Sequence, residues 1–339
     1  MDHKVALSFA DGTTQFLTVQ GNERLLDAAL RHGLNIPLDC REGVCGTCRG
    51  QCESGQYSLD YADEEALSAD ELASRYILAC QTRVQSDATF RFDFDSSLCN
   101  AAPLVRRNAR VTALQQVSSA AAILEVEADG APLDYLPGQY ARLQVPGTEA
   151  HRAYSFANRP NPGNRLQFLI RLLPQGVMSD YLRERCQVGD TLQLEAPLGA
   201  FYLRQVERPV VMAAGGTGLS AFLGMLDTLA EQSCQHPIHL LHGVRQAADL
   251  CEQARIEGYA ERLPGFRFTP VVSEPGEADW SGARGYVPEH LDADALREQP
   301  CDLYVCGPPP MVDAVKGWLE SKALGQSRLY LEKFLDSGT

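Results

Sequence analysis

The sequence predicts a multidomain chain of α+β and α/β class: a small α+β domain, an antiparallel β-barrel domain and a parallel-sheet domain, in that order. Three observations carry this reading. Residues 40–55, CREGVCGTCRGQCESG, place four cysteines and four glycines behind a strand–strand–helix pattern. Residues 107–205 run as short β-like segments separated by turn signals. From about residue 206, continuous apolar runs alternate with helical segments, as in a parallel sheet covered on both faces.

With 339 residues and 45% hydrophobic content the chain can bury several cores. A formal charge of -14 offers no surface for phosphate, so neither nucleic acid nor an anionic membrane is an expected partner. The segment MDHKVALSFADGTT has no basic-then-apolar leader pattern, which points to the cytoplasm. Pro209 to Leu226 is charge-free, but four glycines, a threonine and a serine interrupt it, so strand, glycine turn and helix fit better than a membrane span. Eleven cysteines, an odd number, do not suggest a disulfide framework, so the dense cluster reads as metal-binding.

In the first domain, residues 1–98, KVALSFADGTTQFLTV alternates Val5, Leu7 and Phe9, then Phe16 and Thr18 after Asp11-Gly12, which reads as a hairpin. NERLLDAALRHG follows as a helix, with Asn22 the candidate N-cap, Leu25, Leu26, Ala29 and Leu30 on one face and Gly33 the stop. Cys40, Cys45 and Cys48, with Cys80 far downstream in YILACQTRV, have the plant-type spacing for a 2Fe-2S cluster. Thiolates suit ferric iron and sulfide, while Gly43, Gly46 and Gly50 make room and expose amides that can donate to sulfur. Cys52 is spare. A four-cysteine zinc site is the alternative, although zinc sites usually show two CxxC pairs. Hairpin, helix, cysteine loop and late fourth cysteine resemble the β-grasp ferredoxin domain. Residues 1–100 hold 16 acidic and 8 basic residues, with Asp60, Asp63, Glu64, Glu65, Asp70 and Glu71 close together, either a docking surface for a basic partner or a solvated face.

A composition shift marks a linker at residues 99–106, and the barrel pattern of residues 107–205 follows. Within it HRAYSFAN carries Arg152, Tyr154 and Ser155. Arg-x-Tyr-Ser resembles the flavin-binding signature of the ferredoxin-NADP reductase superfamily. The resemblance gives Arg152 the FAD pyrophosphate, Tyr154 the face of the isoalloxazine and Ser155 a hydrogen bond near the reactive flavin nitrogen. Without it, Arg and Tyr alternating on a strand read equally as a solvated face. LLPQGVMSDYLRERC puts Gly176, Val177, Met178 and Ser179 at a helix start, an anion site by its amides and dipole or an ordinary helix capped by Ser179. In the superfamily this helix start completes the pyrophosphate site.

The last domain, residues 206–339, opens with PVVMAAGGTGLSAF. Gly216 and Gly218, with Gly215 and Thr217 beside them, fit the dinucleotide fingerprint after a strand and before a helix, so a Rossmann-like nicotinamide domain is expected. YVCGPPPMV looks like the nicotinamide side of the same superfamily, with Cys306 and Gly307 at a strand end; Cys306 is otherwise a small core residue. HGVR places Arg245 where an acidic residue is expected, which taken alone favours NADP. Asp249, four residues on, matches the acidic position of NADH-using members and points to NADH. Phe334 in YLEKF matches an aromatic that stacks on the flavin, with Glu332 near the flavin edge; a Phe closing the last strand is the plainer alternative.

Taken together, the three parts resemble the reductase components of aromatic-ring-hydroxylating dioxygenases, the benzoate and toluate 1,2-dioxygenase group. That resemblance implies a monomer or weak oligomer carrying hydride from NADH onto FAD and single electrons through the 2Fe-2S cluster to a terminal oxygenase. Ser155, Cys306, Glu332 and Phe334 would be its catalytic set. A same-architecture reductase serving phenol hydroxylase or soluble methane monooxygenase, and a zinc-bearing nucleotide-binding module, remain as alternatives.

Overall fold

The structure, a computed structural model, describes residues 2–100, 104–276 and 280–334. It forms two compact units, Met1–Pro103 with Leu198–Ala200, and Leu104–Pro197 with Phe201–Thr339. No helix among the described residues is long and apolar enough to cross a membrane.

In the first unit, β1 (His3–Ser8), β2 (Thr14–Val19), β3 (Arg49–Ser54), β5 (Tyr76–Leu78) and β7 (Ala88–Arg91) form a mixed sheet ordered β2-β1-β7-β3-β5, while β4 (Tyr57–Leu59) pairs with β6 (Thr82–Val84). The hairpin turns at Gly12, whose φ of 78° is cheap only for glycine. Its second strand faces the other way from the sequence expectation. Val5 pairs with Leu17 and His3 with Val19, so Leu17 and Val19 are buried while Phe16 is 78% exposed. Because strand side chains alternate with period two, register alone moved the apolar set by one residue. Helix α1 (Leu25–Arg31) buries Leu25, Leu26, Ala28 and Ala29 and leaves Leu30 exposed. Its N-cap is Arg24, not Asn22, with no side-chain cap, and Gly33 at φ 79° does end it. Helix α2 (Ala69–Ala73) is closed by a capping box between Ser68 and Glu71.

The second unit holds two sheets. The first contains β8 (Val105–Gln116), β9 (Ala121–Ala128), β10 (Tyr140–Gln144), β11 (His151–Ser155), β12 (Arg165–Arg171) and β13 (Thr191–Leu198), in the order β11-β10-β13-β8-β9-β12. A bridge between Phe156 and Phe168 joins its two edges, so the antiparallel sheet nearly closes. Helix α3 (Val177–Glu184) lays Met178, Tyr181 and Leu182 into the barrel core. Of the expected linker, residues 101–103 lie outside the described residues, and Val105 already begins β8.

The second sheet is wholly parallel. It contains β14 (Val210–Gly215), β15 (Ile238–Val244), β16 (Phe266–Val272), β17 (Ala283–Arg284), β18 (Asp302–Gly307) and β19 (Arg328–Lys333), ordered β17-β16-β15-β14-β18-β19. Helices α4 (Leu219–Glu231), α5 (Gln253–Gly258), α6 (Ala293–Glu298) and α7 (Pro309–Ser321) connect the strands. Strand order reverses between β14 and β18, and a crevice at the carboxyl ends of such a switch is where ligands bind in open α/β sheets.

Helix α4 fastens this sheet to the barrel along one stripe. Ser220 Oγ donates to Ser155 O at 2.7 Å, and a Cβ at Gly224 would lie 2.9 Å from Asn158 O. One turn further, Asp227 accepts from Arg255 at 2.8 Å, and the same guanidinium donates to Ala157 O at 2.9 Å. The glycine loop and Ser155 are thereby held in one frame.

Candidate functional site

The four thiols meet two by two. Cys40 hydrogen-bonds with Cys45, and Cys48 with Cys80. Cys48 and Cys80 are buried at 1% and 2% exposure, whereas Cys40 and Cys45 are half-buried, so the Cys40–Cys45 pair lies nearer solvent. Backbone amides point at sulfur: Glu42 N donates to Cys40 Sγ at 3.4 Å and Cys80 N to Cys48 Sγ at 3.5 Å. The Cys45 thiol, joined by the amides of Glu42, Val44 and Cys45, holds Cys40 down at about 5 against the opposing effect of burial. The same pairing pushes Cys45 up. Gly43, at φ 82°, would bring a Cβ within 3.0 Å of Tyr61 O and Gln81 Cγ. Gln81 Nε2 donates to Arg41 O at 2.8 Å, tying the loop to the segment of the fourth cysteine. This donor set fits a binuclear centre, which needs two thiolates per iron and amides to stabilise its sulfurs. Cys52 stands apart in β3, accepting from Arg75 Nη2 at 3.1 Å and donating to Ser54 O at 3.2 Å.

Three of the six clustered acids are engaged in the fold, Asp63 by accepting from Tyr61 OH at 3.2 Å and Glu65 N at 2.9 Å. Asp60 takes ion pairs from Arg24 at 3.0 Å and Arg83 at 2.7 Å, and buried Glu71 pairs with Arg49 at 3.0 Å. They add little to any docking field, which leaves Glu64, Glu65 and Asp70 as its exposed members.

On β11, Arg152 and Tyr154 share a face, pairing with Leu143 and Ala141 of β10. Tyr154 packs on the barrel core, and burial pushes its phenol up. Helix α3 borders the same core, capped by Gly176 rather than Ser179. The Ser179 hydroxyl is used within the loop, accepting from Leu173 N at 2.9 Å and donating toward Arg171 O at 3.3 Å. What α3 can offer an anion is therefore its first-turn amides, which lack partners within the helix.

At the switch point, Gly215 ends β14 and Gly307 ends β18, and a Cβ at Gly307 would lie 2.9 Å from Gly215 Cα. A Cβ at Gly218 would lie 2.2 Å from Cys306 O. Gly216 sits at φ 52° with nothing within 4 Å of the Cβ it lacks, so the backbone there lies open to a ligand. His242, fully buried and held neutral by burial with its pKa at about 4, donates from Nε2 to Gly216 O at 3.0 Å and orients the loop. Phe334 N donates to Gly307 O at 2.8 Å, and Glu332 pairs with Cys306 in the sheet register. Cys306 is fully enclosed in the apolar core, where burial pushes its thiol far up, so it brings bulk rather than charge to this end of the strand. Ser155, Gly218, Cys306, Gly307 and Phe334 are thus linked through contacts about α4 and β18; Asp249 lies beyond β15, where it accepts from Gln246 N at 3.1 Å and from Ser119 Oγ at 3.2 Å.

Family models agree with these three regions: a 2Fe-2S iron-sulfur cluster binding domain matches residues 8–85, an oxidoreductase FAD-binding domain 108–202 and an oxidoreductase NAD-binding domain 212–317. The anthranilate 1,2-dioxygenase electron transfer component of Acinetobacter baylyi is 59% identical over 100% of this chain and 99% of its own length. The chain belongs to the family of dioxygenase electron transfer components. It is an oxidoreductase with 2Fe-2S, FAD and NAD domains. The toluate 1,2-dioxygenase electron transfer component of Pseudomonas putida is 42% identical over 99% of this chain and 100% of that one. Among solved structures, an Amycolatopsis cytochrome P450 reductase superposes with a TM-score of 0.70 at 33% identity, covering 97% of this chain and 98% of its own. Within this family frame, Ser220, His242, Gln81 and Arg255 are contacts that sequence reasoning missed. Each joins residues far apart in the chain, and no local spacing signals such a pair.

Proposed function

We propose that the chain is the reductase supplying electrons from NADH to the terminal oxygenase of an aromatic-carboxylate dioxygenase. Co-linearity carries this reading: relatives named for anthranilate and toluate dioxygenation align over its whole length. When bound, NADH gives a hydride, FAD takes the electron pair and the 2Fe-2S centre passes electrons on singly.

The residues then have distinct tasks. Cys40, Cys45, Cys48 and Cys80 hold the iron, and the half-buried Cys40–Cys45 side is the exit toward the oxygenase. Arg152 and the amides of Gly176, Val177, Met178 and Ser179 bind the FAD pyrophosphate. Tyr154 lends the isoalloxazine a flat face, and Ser155 a small donor at its reactive edge. Gly215, Gly216, Thr217 and Gly218 let backbone approach the NADH phosphates. Cys306 and Gly307 border the nicotinamide, Phe334 covers the site until nicotinamide enters, and Glu332 stands at its edge. Asp249 faces the ribose and disfavours a 2′-phosphate. The corresponding domains are 1–98, 107–205 and 206–339.

Purified protein should carry visible flavin and iron-sulfur absorption and support NADH-driven turnover by an anthranilate-type terminal oxygenase. Colourless, zinc-containing protein would sink the reading; coloured protein that supports only a phenol-type oxygenase would redirect it. Asp249→Ala should raise the NADPH-to-NADH ratio of kcat/KM several-fold, with a stability loss of about 1 kcal/mol because the carboxylate also caps Gln246 N. An unchanged ratio would move the determinant elsewhere.

A further inference from the structure

Arg245 stands at the carboxyl end of β15, the second strand of the parallel sheet, where a dinucleotide's ribose is read and where an arginine would accommodate a 2′-phosphate. Its guanidinium does not stand alone. Val244 pairs with Val272, and the ladder continues beyond both strands: Ser273 N donates to Val244 O at 3.0 Å and Glu274 N to Arg245 O at 2.8 Å. Glu274 is therefore set beside Arg245 by backbone, and Arg245 Nε meets Glu274 Oε2 at 2.7 Å. Arg284, which ends β17 beside Val272, turns its guanidinium to Trp280 O at 2.8 Å.

We propose that Glu274 is a specificity-determining residue, withholding Arg245 from a 2′-phosphate and so fixing the preference for NADH over NADPH. The side chains of Arg245 and Glu274 are 72% and 55% exposed, and an ion pair so exposed contributes little to stability. Its consequence is the local field. With Glu274 in place the two charges cancel and the Asp249 carboxylate leaves the ribose end net negative, whereas without Glu274 the guanidinium fork is open to phosphate. The alternative chemistry of Arg245, an NADP-type residue in an NADH-type setting, is thus suppressed by a partner 29 residues downstream.

This inference rests on the NADH reading, and one titration series separates the two. ADP-ribose and 2′-phospho-ADP-ribose are titrated by calorimetry into the full chain carrying its cofactors, as wild type, Glu274→Gln, Arg245→Leu and the double variant. The wild type is expected to bind ADP-ribose the tighter. Glu274→Gln should raise the relative affinity for the 2′-phosphate compound about tenfold, and the gain should vanish when Arg245 is Leu. A wild type that prefers the 2′-phosphate overturns the NADH reading and this inference together. If wild type prefers ADP-ribose and Glu274→Gln leaves the ratio unchanged, or raises it equally with and without Arg245, the role of Glu274 alone is overturned.

Discussion

Cys45→Ser is expected to cut electron delivery to an oxygenase or to cytochrome c by at least about a hundredfold while NADH-driven ferricyanide reduction largely survives. Serine is a harder and more basic ligand than thiolate, so iron affinity and potential both change. Cys45 is half of the more exposed pair, a free thiol hydrogen-bonded to Cys40 and fixed by a loop whose Gly43 and Gly46 sit at φ 82° and 72°. No rearrangement within that loop supplies another thiol: Cys52 is held in β3 by Arg75 and Ser54. The residues proposed for hydride entry all lie after 104, and none of the proposed contacts involves Cys45. The measurement pairs the visible spectrum with two assays, ferricyanide and oxygenase turnover, and Cys52→Ser is the control, with retained delivery and only a packing loss expected. Intact delivery from Cys45→Ser would mean that electrons leave without passing the cysteine loop.

The parts of the site legible in the sequence are those where chemistry fixes short spacing. The four cysteines proposed to hold one cluster would have to reach it together, so their intervals show in the chain; a glycine turn proposed for phosphate would have to let backbone approach it, so Gly216 and Gly218 stand out at once. Positions set by tertiary contact were not legible. Ser220 meets Ser155 across 65 residues, and the Arg245–Glu274 pair joins two strand ends. Local rules also misled where the backbone had another use for a side chain. Ser179 is a good N-cap by type, yet its hydroxyl serves Leu173 N, and Gly176 takes the cap after Gln175 turns at φ 67°. Phe16 reads as a core residue by hydrophobicity, but pairing with Ala6 places it on the outer face of the sheet.

Gly218→Ala should slow NADH-driven flavin reduction by about two orders of magnitude and raise the apparent KM for NADH, with flavin and iron-sulfur absorption retained. The reason is distance, since Gly218 has φ -57°, an angle any residue adopts. Its missing Cβ would lie 2.2 Å from Cys306 O, 2.7 Å from Cys306 C and 3.1 Å from Gly307 Cα, all backbone of a central strand that cannot turn aside as a side chain would. The start of α4 must therefore lift away from the end of β18, at a cost of roughly 1–3 kcal/mol in stability. That movement opens the switch point where dinucleotide phosphates would approach, and it pulls on Ser220, whose hydroxyl holds Ser155 O at 2.7 Å. Nicotinamide and flavin sites would be disturbed together, and a misplacement of about 1 Å between reacting partners costs about a hundredfold in rate. Gly216→Ala is the contrast: its Cβ would meet nothing within 4 Å, so strain at φ 52° is its only intrinsic penalty, and any larger loss of NADH binding must come from the ligand itself. Rapid-mixing measurements of flavin reduction against NADH concentration, with a thermal melt for each variant, separate these effects. If Gly218→Ala is reduced at the wild-type rate with the wild-type NADH dependence, the glycine loop is not where the dinucleotide binds.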